Sequence, residues 1–373
     1  MKIGDKEIGP GYPPYVIAEI GVNHDGEVSR ALELTDAAAE AGADAVKLQL
    51  FETDRLMSSA AKLAAYQKNA GETDPLAMLR RLELSIDEMA QVVHRAHARG
   101  IHAIVTVFSV ELVEIAGQLP WDAYKSASPD IINKPLLEAI AATGKPLIVS
   151  TGASELDEVT RAADWLEGIR DRLAFLQCVS CYPAPVGAFG GIVAISEATG
   201  LPVGYSDHLD GLEAALYLPN WGCPLFEKHF TYNRNAAGPD HAASLEAEGF
   251  NNYANFVHLG TGWGIQFPLD TKAPRLQREE FEKERSDLNF SRNELVGNLE
   301  KTVLDCERDV REVSRQSLVT KQSLSAGDVI TSEMLTIKRP GTGLPPYILD
   351  DLIGRTLARD VEVDVPLVEE DLA

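Results

Sequence analysis

Short apolar runs alternate with longer stretches of mixed polarity along the first two-thirds of the chain. The runs fall at Tyr15–Ile20, Ala45–Leu50, His102–Val107, Ala123–Lys125, Pro146–Ser150, Leu173–Cys178, Pro202–Tyr205 and Pro224–Lys228. Each has the length and near-continuous hydrophobicity of a parallel strand buried on both faces. Between them, apolar positions recur at helical spacing over Val28–Ala41, Ile86–Arg99 and Leu156–Ile169. Ser85-x-x-Glu88 and Ser154-x-x-Asp157 have the form of capping boxes at two of these starts. Strands and helices alternating through about 260 residues predict a (β/α)8 TIM barrel. A doubly wound open sheet is the alternative, but no glycine-rich fingerprint follows the first strand.

The rhythm then stops. From Leu276 to Arg311 the chain is dense in charge, with apolar spacing too loose for a core, which predicts a solvated helical linker over 276–312 after a barrel of residues 1–275. Beyond it, short β-like pieces such as Ser317-Leu318-Val319 alternate with the turn signals Ser325-Ala326-Gly327-Asp328 and Arg339-Pro340-Gly341-Thr342-Gly343. Residues 313–373 thus predict a small β-rich domain, and at about 60 residues it needs support from the barrel or from a partner subunit.

Composition narrows the possible partners. Lys+Arg number 34 against 57 Asp+Glu, a net charge of −23, which argues against a nucleic-acid backbone as ligand. An anionic substrate must then be met by a local cluster of Lys, Arg or metal. Met-Lys-Ile-Gly-Asp-Lys lacks an apolar signal region and no apolar stretch approaches a membrane span, so a cytoplasmic protein is expected. The four cysteines, Cys178, Cys181, Cys223 and Cys306, are too few for a disulfide scaffold and read as reduced thiols.

Polar residues collect where the predicted strands end. The tips supply Glu19, Lys47, Gln49, Thr106, Lys125, Ser128, Ser150, Ser180, Tyr182, Ser206, Asp207, His208, Glu227, Lys228 and His229. In a barrel these open on one face, where barrel enzymes place their chemistry. Lysines and hydroxyls suit a phosphate, since each offers charge or donors to its oxygens. Two histidines with a carboxylate suit a divalent cation with open coordination positions. Each has a plainer reading: Lys47 would merely pair with Asp44 or Glu52, a lone His208 would be structural, and Gly238-Pro239-Asp240-His241 is a tight turn by composition. Against this, a lysine within Ala45-Val46-Lys47-Leu48 is costly on a buried strand unless it faces a polar pocket.

Several of these segments resemble a known family. Glu19-Ile20-Gly21-Val22-Asn23-His24-Asp25-Gly26, Val46-Lys47-Leu48-Gln49, Tyr124-Lys125-Ser126-Ala127-Ser128, Tyr182-Pro183-Ala184-Pro185, Gly204-Tyr205-Ser206-Asp207-His208, Glu227-Lys228-His229-Phe230 and Gly238-Pro239-Asp240-His241 look like signatures of the sialic acid synthase (N-acetylneuraminate synthase) family. The tail resembles that family's antifreeze-like domain. The resemblance implies condensation of phosphoenolpyruvate with an N-acylated hexosamine to a nine-carbon 2-keto acid and phosphate. It implies that His208 and His229 hold Mn²⁺ or Mg²⁺, and that Glu19 acts on the water that attacks C2 of phosphoenolpyruvate. Lys47, Thr106, Lys125, Ser128, Ser150, Ser180 and Ser206 would bind phosphoenolpyruvate, while Gln49, Tyr182 and Asp240 would hold the sugar. Arg339 would reach the N-acyl end from the small domain of a partner subunit, in a domain-swapped homodimer.

The sequence departs from that pattern on one loop. Ser180 lies where many members carry Asn, Cys181 replaces a bulkier or acidic residue, and Ala184 stands where Thr is common. These changes bear on the choice of hexosamine, which the sequence leaves open. Two other readings stand beside this one: a synthase that uses phosphoenolpyruvate with a phosphorylated aldose, and a non-catalytic sugar- or ice-binding protein.

Overall fold

The computed structural model describes residues 1–259 and 295–373. Among them a closed barrel of parallel strands runs in the order β3 (Tyr15–Glu19), β4 (Ala45–Leu50), β5 (His102–Val107), β6 (Ala123–Ser126), β7 (Leu147–Ser150), β8 (Leu173–Cys178), β9 (Val203–Asp207) and β10 (Leu225–His229), with β10 pairing back onto β3. The expected (β/α)8 architecture is present, and the strands lie where the apolar runs predicted them to within two residues.

Side-chain alternation gives every strand two functions. On one face of each strand, Val16, Val46, Val105, Tyr124, Val149, Phe175, Tyr205 and Phe226 pack against the helices in the main core. On the other, Tyr15, Ile17, Ala45, Ile104, Ala123, Ile148, Ala174, Leu176 and Leu225 fill the barrel interior. One step further along that inner face come Glu19, Lys47, Thr106, Lys125, Ser150, Cys178 and Glu227, at the C-terminal ends of their strands. The polar set is therefore a continuation of the inner core. Asp207 and Lys228 have the opposite parity: fully buried, they pair with each other at 3.3 Å, and Lys228 also donates to the Leu209 carbonyl at 2.5 Å.

A short hairpin, β1 (Lys2–Ile3) with β2 (Lys6–Glu7), brings Ile3 and Ile8 against the interior cluster. It closes the N-terminal end of the barrel. At the other end, residues 53–82 form an excursion of short helices whose Leu56, Met57, Leu63, Met78 and Leu82 pack with Phe51 and Phe108.

Helix starts show where local chemistry was and was not readable. Ser85 and Glu88 make the expected reciprocal capping box. The second box is displaced by one residue: Glu155, not Ser154, is the cap, its N–H donating to Glu158, while the Ser154 hydroxyl turns back to the Gly152 carbonyl.

Residues 260–294, including most of the expected linker, lie outside the described residues. The part that is described is not solvated throughout. Lys301 and Glu307 are buried, Leu156 N–H donates to the Lys301 carbonyl, and Arg311 and Arg315 both pair with Glu158 on a barrel helix. The final domain pairs β11 (Ser317–Thr320) with β12 (Leu335–Lys338) over a small core of Leu324, Ile330, Leu335, Leu357, Val361 and Leu367. It rests on the barrel through Gln316, which accepts from Asn133 Nδ2 and donates to the Phe108 carbonyl, and through a bridge between Met57 and Arg339.

Candidate active site

The inner-face polar residues converge on one cavity at the C-terminal end of the barrel. Glu19, Lys47, Gln49, Thr106, Lys125, Ser128, Ser150, Ser180, Tyr182, Ser206, His208, His229, Asp240 and Arg339 all line it. Every residue given a site role in the sequence is thus brought together, whereas the strand-tip residues Asp207 and Lys228 stay outside the cavity. Reaching the cavity from the small domain, Arg339 lies over its own chain's barrel, 5.5 Å from the Phe108 ring centroid. The contact is set by backbone pairing, because Arg339 N–H donates to the Leu56 carbonyl and Ser58 N–H to that of Arg339.

Four charges form the floor. Glu19 accepts from Gly21 N–H at 2.8 Å and is in contact with Lys47, which donates to Thr106 Oγ1 at 2.9 Å. Lys125 stands 3.3 Å from Glu227, Lys47 stands 3.8 Å from it, and Ser206 donates to it at 2.8 Å. Burial pushes Lys47 down to about 7, with Lys125 adding to the fall and Glu227 opposing it. Burial also opposes ionisation of Glu227, yet Lys125, Lys47 and the Ser206 hydroxyl together hold it down to about 2. Glu227 was seen in the sequence only as a strand-tip residue; its inward parity on β10, shared with Leu225 and His229, is the signal that gives it a place among the lysines.

Beside the lysines is a cradle of hydroxyls. Gly152 N–H donates to Ser128 Oγ at 2.9 Å, and the Ser150 hydroxyl is buried with no partner among the described residues. A Cβ on Gly152 would meet Ser180 Oγ at 2.1 Å, Cys178 Sγ at 2.6 Å and Ser128 Oγ at 2.9 Å, so only glycine lets these groups approach. Free hydroxyl donors in a buried corner beside two lysines suit phosphate or carboxylate oxygens.

The imidazoles occupy the opposite side. His208 Nδ1 lies 2.7 Å from the Val179 carbonyl, and because a carbonyl only accepts, Nδ1 carries the proton and Nε2 the lone pair. Burial pushes His208 down to about 4. Burial, then His208, pushes His229 well below its ordinary range; its Nδ1 has no hydrogen-bond partner among the described residues, and Asp240 is 3.7 Å away. The two rings are 5.6 Å apart between centroids, with Tyr182 against both. Two neutral imidazoles with available lone pairs fit a divalent cation. Among the described residues no group of three or more His, Cys, Asp or Glu forms a complete cage, so water and substrate would complete the shell. Asp240 is itself pushed up to about 6 by burial, against the opposing charge of Lys47.

The fold and cavity define a (β/α)8 barrel protein with a polar anion- and cation-ready centre at its strand ends, joined to a SAF domain matched over residues 315–373. The chain belongs to the NeuB family, whose profile matches residues 34–259. An uncharacterized protein of Methanocaldococcus jannaschii is 33% identical over all of this chain and 98% of its own. The N,N'-diacetyllegionaminic acid synthase of Legionella pneumophila is 31% identical over 99% of this chain and 97% of its own. Among solved structures, the spore coat polysaccharide biosynthesis protein SpsE of Bacillus subtilis superposes with a TM-score of 0.80 at 26% identity, covering 100% of this chain and 99% of that one. No helix among the described residues is long and apolar enough to cross a membrane.

Proposed function

We propose that the protein condenses phosphoenolpyruvate with the open-chain aldehyde of an N-acylated hexosamine, giving a nine-carbon 2-keto sugar acid and phosphate, a transferase reaction of the EC 2.5.1 type. The observation that carries this reading is the juxtaposition, in one cavity, of a lysine and hydroxyl corner with a pair of neutral imidazoles. An anion and a polarisable carbonyl would lie side by side. The name of the Legionella relative supports a sugar-acid product.

In this reading Lys47, Thr106, Lys125, Ser128, Ser150, Ser180 and Ser206 hold the phosphate and carboxylate of phosphoenolpyruvate. Glu227, 3.3 Å from Lys125 and 3.8 Å from Lys47, orients both lysines toward the cavity. His208 and His229 hold Mn²⁺ or Mg²⁺, which when bound polarises the sugar aldehyde as a Lewis acid. C3 of phosphoenolpyruvate forms the new C–C bond to the aldehyde carbon, whose oxygen takes a proton. Water adds to C2, Glu19 orients it and accepts its proton, and phosphate leaves by C–O cleavage. Gln49, Tyr182 and Asp240 position the sugar, and Arg339 meets its N-acyl end. A homodimer belongs to the same proposal, because exchange of residues 295–373 between two copies would preserve each barrel contact described above.

Phosphate release measured with phosphoenolpyruvate, Mn²⁺ and a panel of hexosamines tests the reading. Turnover with N-acetylmannosamine or a diacetamido hexosamine is expected. Turnover only with a phosphorylated aldose, or sugar binding without phosphate release, would overturn it.

A further inference from the structure

The loops that carry the hydroxyl cradle are held from outside the barrel. Glu307 is 1% exposed, and its Oε1 accepts from Ala153 N–H after β7 and from Ser180 N–H after β8, both at 2.7 Å. Its Oε2 accepts from Leu304 N–H at 2.9 Å, which closes its own short turn. The Ala153 carbonyl is gripped in turn by Arg311 at 2.5 Å and Arg315 at 2.9 Å. Ala153 has a φ of +50°, a left-handed conformation that a residue with a Cβ adopts only when its surroundings hold it there. Next to it stands Gly152, whose own N–H reaches Ser128 and whose Cα leaves no room between Ser128 and Ser180.

One carboxylate oxygen therefore ties together the two loops from which Ser150, Gly152 and Ser180 approach the cavity. Burying an ionised carboxylate is costly, and three backbone N–H groups offset that cost only in this arrangement of the loops. Packing the segment onto the barrel would need no such group. The buried Lys301 lies on the same segment, its charge favoured by Glu307 against burial.

We propose that Glu307 is a positioning residue for phosphoenolpyruvate: by fixing the spacing of Ala153 and Ser180 it makes the hydroxyls of Ser128, Ser150 and Ser180 converge on one anion. The inference rests on the reading of this cavity as the phosphoenolpyruvate site. It follows that the anion pocket is incomplete within residues 1–259 and needs the segment that precedes the SAF domain.

The test is calorimetric binding of phosphoenolpyruvate to the full-length protein, with phosphate-release kinetics alongside, for wild type, Lys125→Ala, Glu307→Asp and Glu307→Gln. Wild type binds and Lys125→Ala weakens binding if the site reading holds. Glu307→Asp, one methylene too short to span both loops, is expected to lose about tenfold in phosphoenolpyruvate affinity while kcat and the hexosamine KM change far less. Glu307→Gln keeps one accepting oxygen and should recover part of the loss. Absence of phosphoenolpyruvate binding to wild type would bring down the functional reading itself. Wild-type binding with an unchanged affinity in Glu307→Asp, or equal losses for both substrates, would overturn the role of Glu307 alone. Should Glu307→Asp fail to fold, Arg311→Met at a partly exposed side chain removes one grip on Ala153, and unchanged phosphoenolpyruvate affinity there overturns the inference equally.

Discussion

His208 donates through Nδ1 to the Val179 carbonyl at 2.7 Å, and that single bond fixes which of its nitrogens can bind a cation. Val179 directly follows β8, so the tautomer is written by the neighbouring strand's end rather than by the histidine's own loop. His208→Ala or His229→Ala is expected to abolish phosphate release while leaving the circular dichroism and melting temperature close to those of wild type, because under the proposed assignment each would supply one of two imidazole ligands. Near-normal turnover after exhaustive chelation would end the metal assignment.

Lys47 gives the pH profile a direction. Pushed down to about 7 by burial, it is charged below that pH and neutral above it. Since kcat/KM reports the free enzyme, kcat/KM for phosphoenolpyruvate should fall as pH rises through about 7, where an ordinary lysine would hold its charge to about 10. Lys47→Arg should remove that limb. A wild-type profile that stays flat from about pH 6 to about pH 9 would refute the assignment.

Gly152 offers a steric test. Gly152→Ala places a methyl group within 2.1 Å of Ser180 Oγ and 2.6 Å of Cys178 Sγ, so the cradle must open. A stability loss of about 1–3 kcal/mol and a severe loss of phosphoenolpyruvate binding are expected. Gly168→Ala, where nothing lies within 4 Å, serves as the control and should be silent in both. Comparable phosphoenolpyruvate affinity in the two variants, measured by calorimetry, would contradict the close-approach argument.

The two ends of the cavity should separate in kinetics. Lys125→Ala loses a charge-assisted hydrogen bond of roughly 1.5–3 kcal/mol to phosphoenolpyruvate and should raise its KM well beyond any change for the sugar. Arg339→Ala should do the reverse, raising the hexosamine KM with phosphoenolpyruvate little affected. Parallel effects of both variants on both substrates would show that the assignment of ends is wrong.

The barrel was legible because its strands are buried on both faces and so appear as apolar runs, and because helices such as Ile86–Ala98 carry their caps in sequence. The site was legible where a polar residue interrupts such a run, as Lys47 and Lys125 do. Interruption alone could not assign sides. Asp207 and Lys228 sit beside Ser206, His208, Glu227 and His229 in the chain, yet they face the helices and pair with each other. Glu307 was invisible for a different reason. Two of its three partners are main-chain N–H groups more than a hundred residues away, which leave no mark on composition, and its surroundings read as solvated charge.

The hairpin beneath the barrel gives the cavity a one-way geometry. With Ile3 and Ile8 stoppering the far end, the way in among the described residues is through the mouth, beneath the 53–82 excursion and Arg339. Under the proposed assignment phosphoenolpyruvate lodges at the strand tips and the sugar nearer the rim. A guest seated at the back of a blind alley must arrive before the one that stands in front of it.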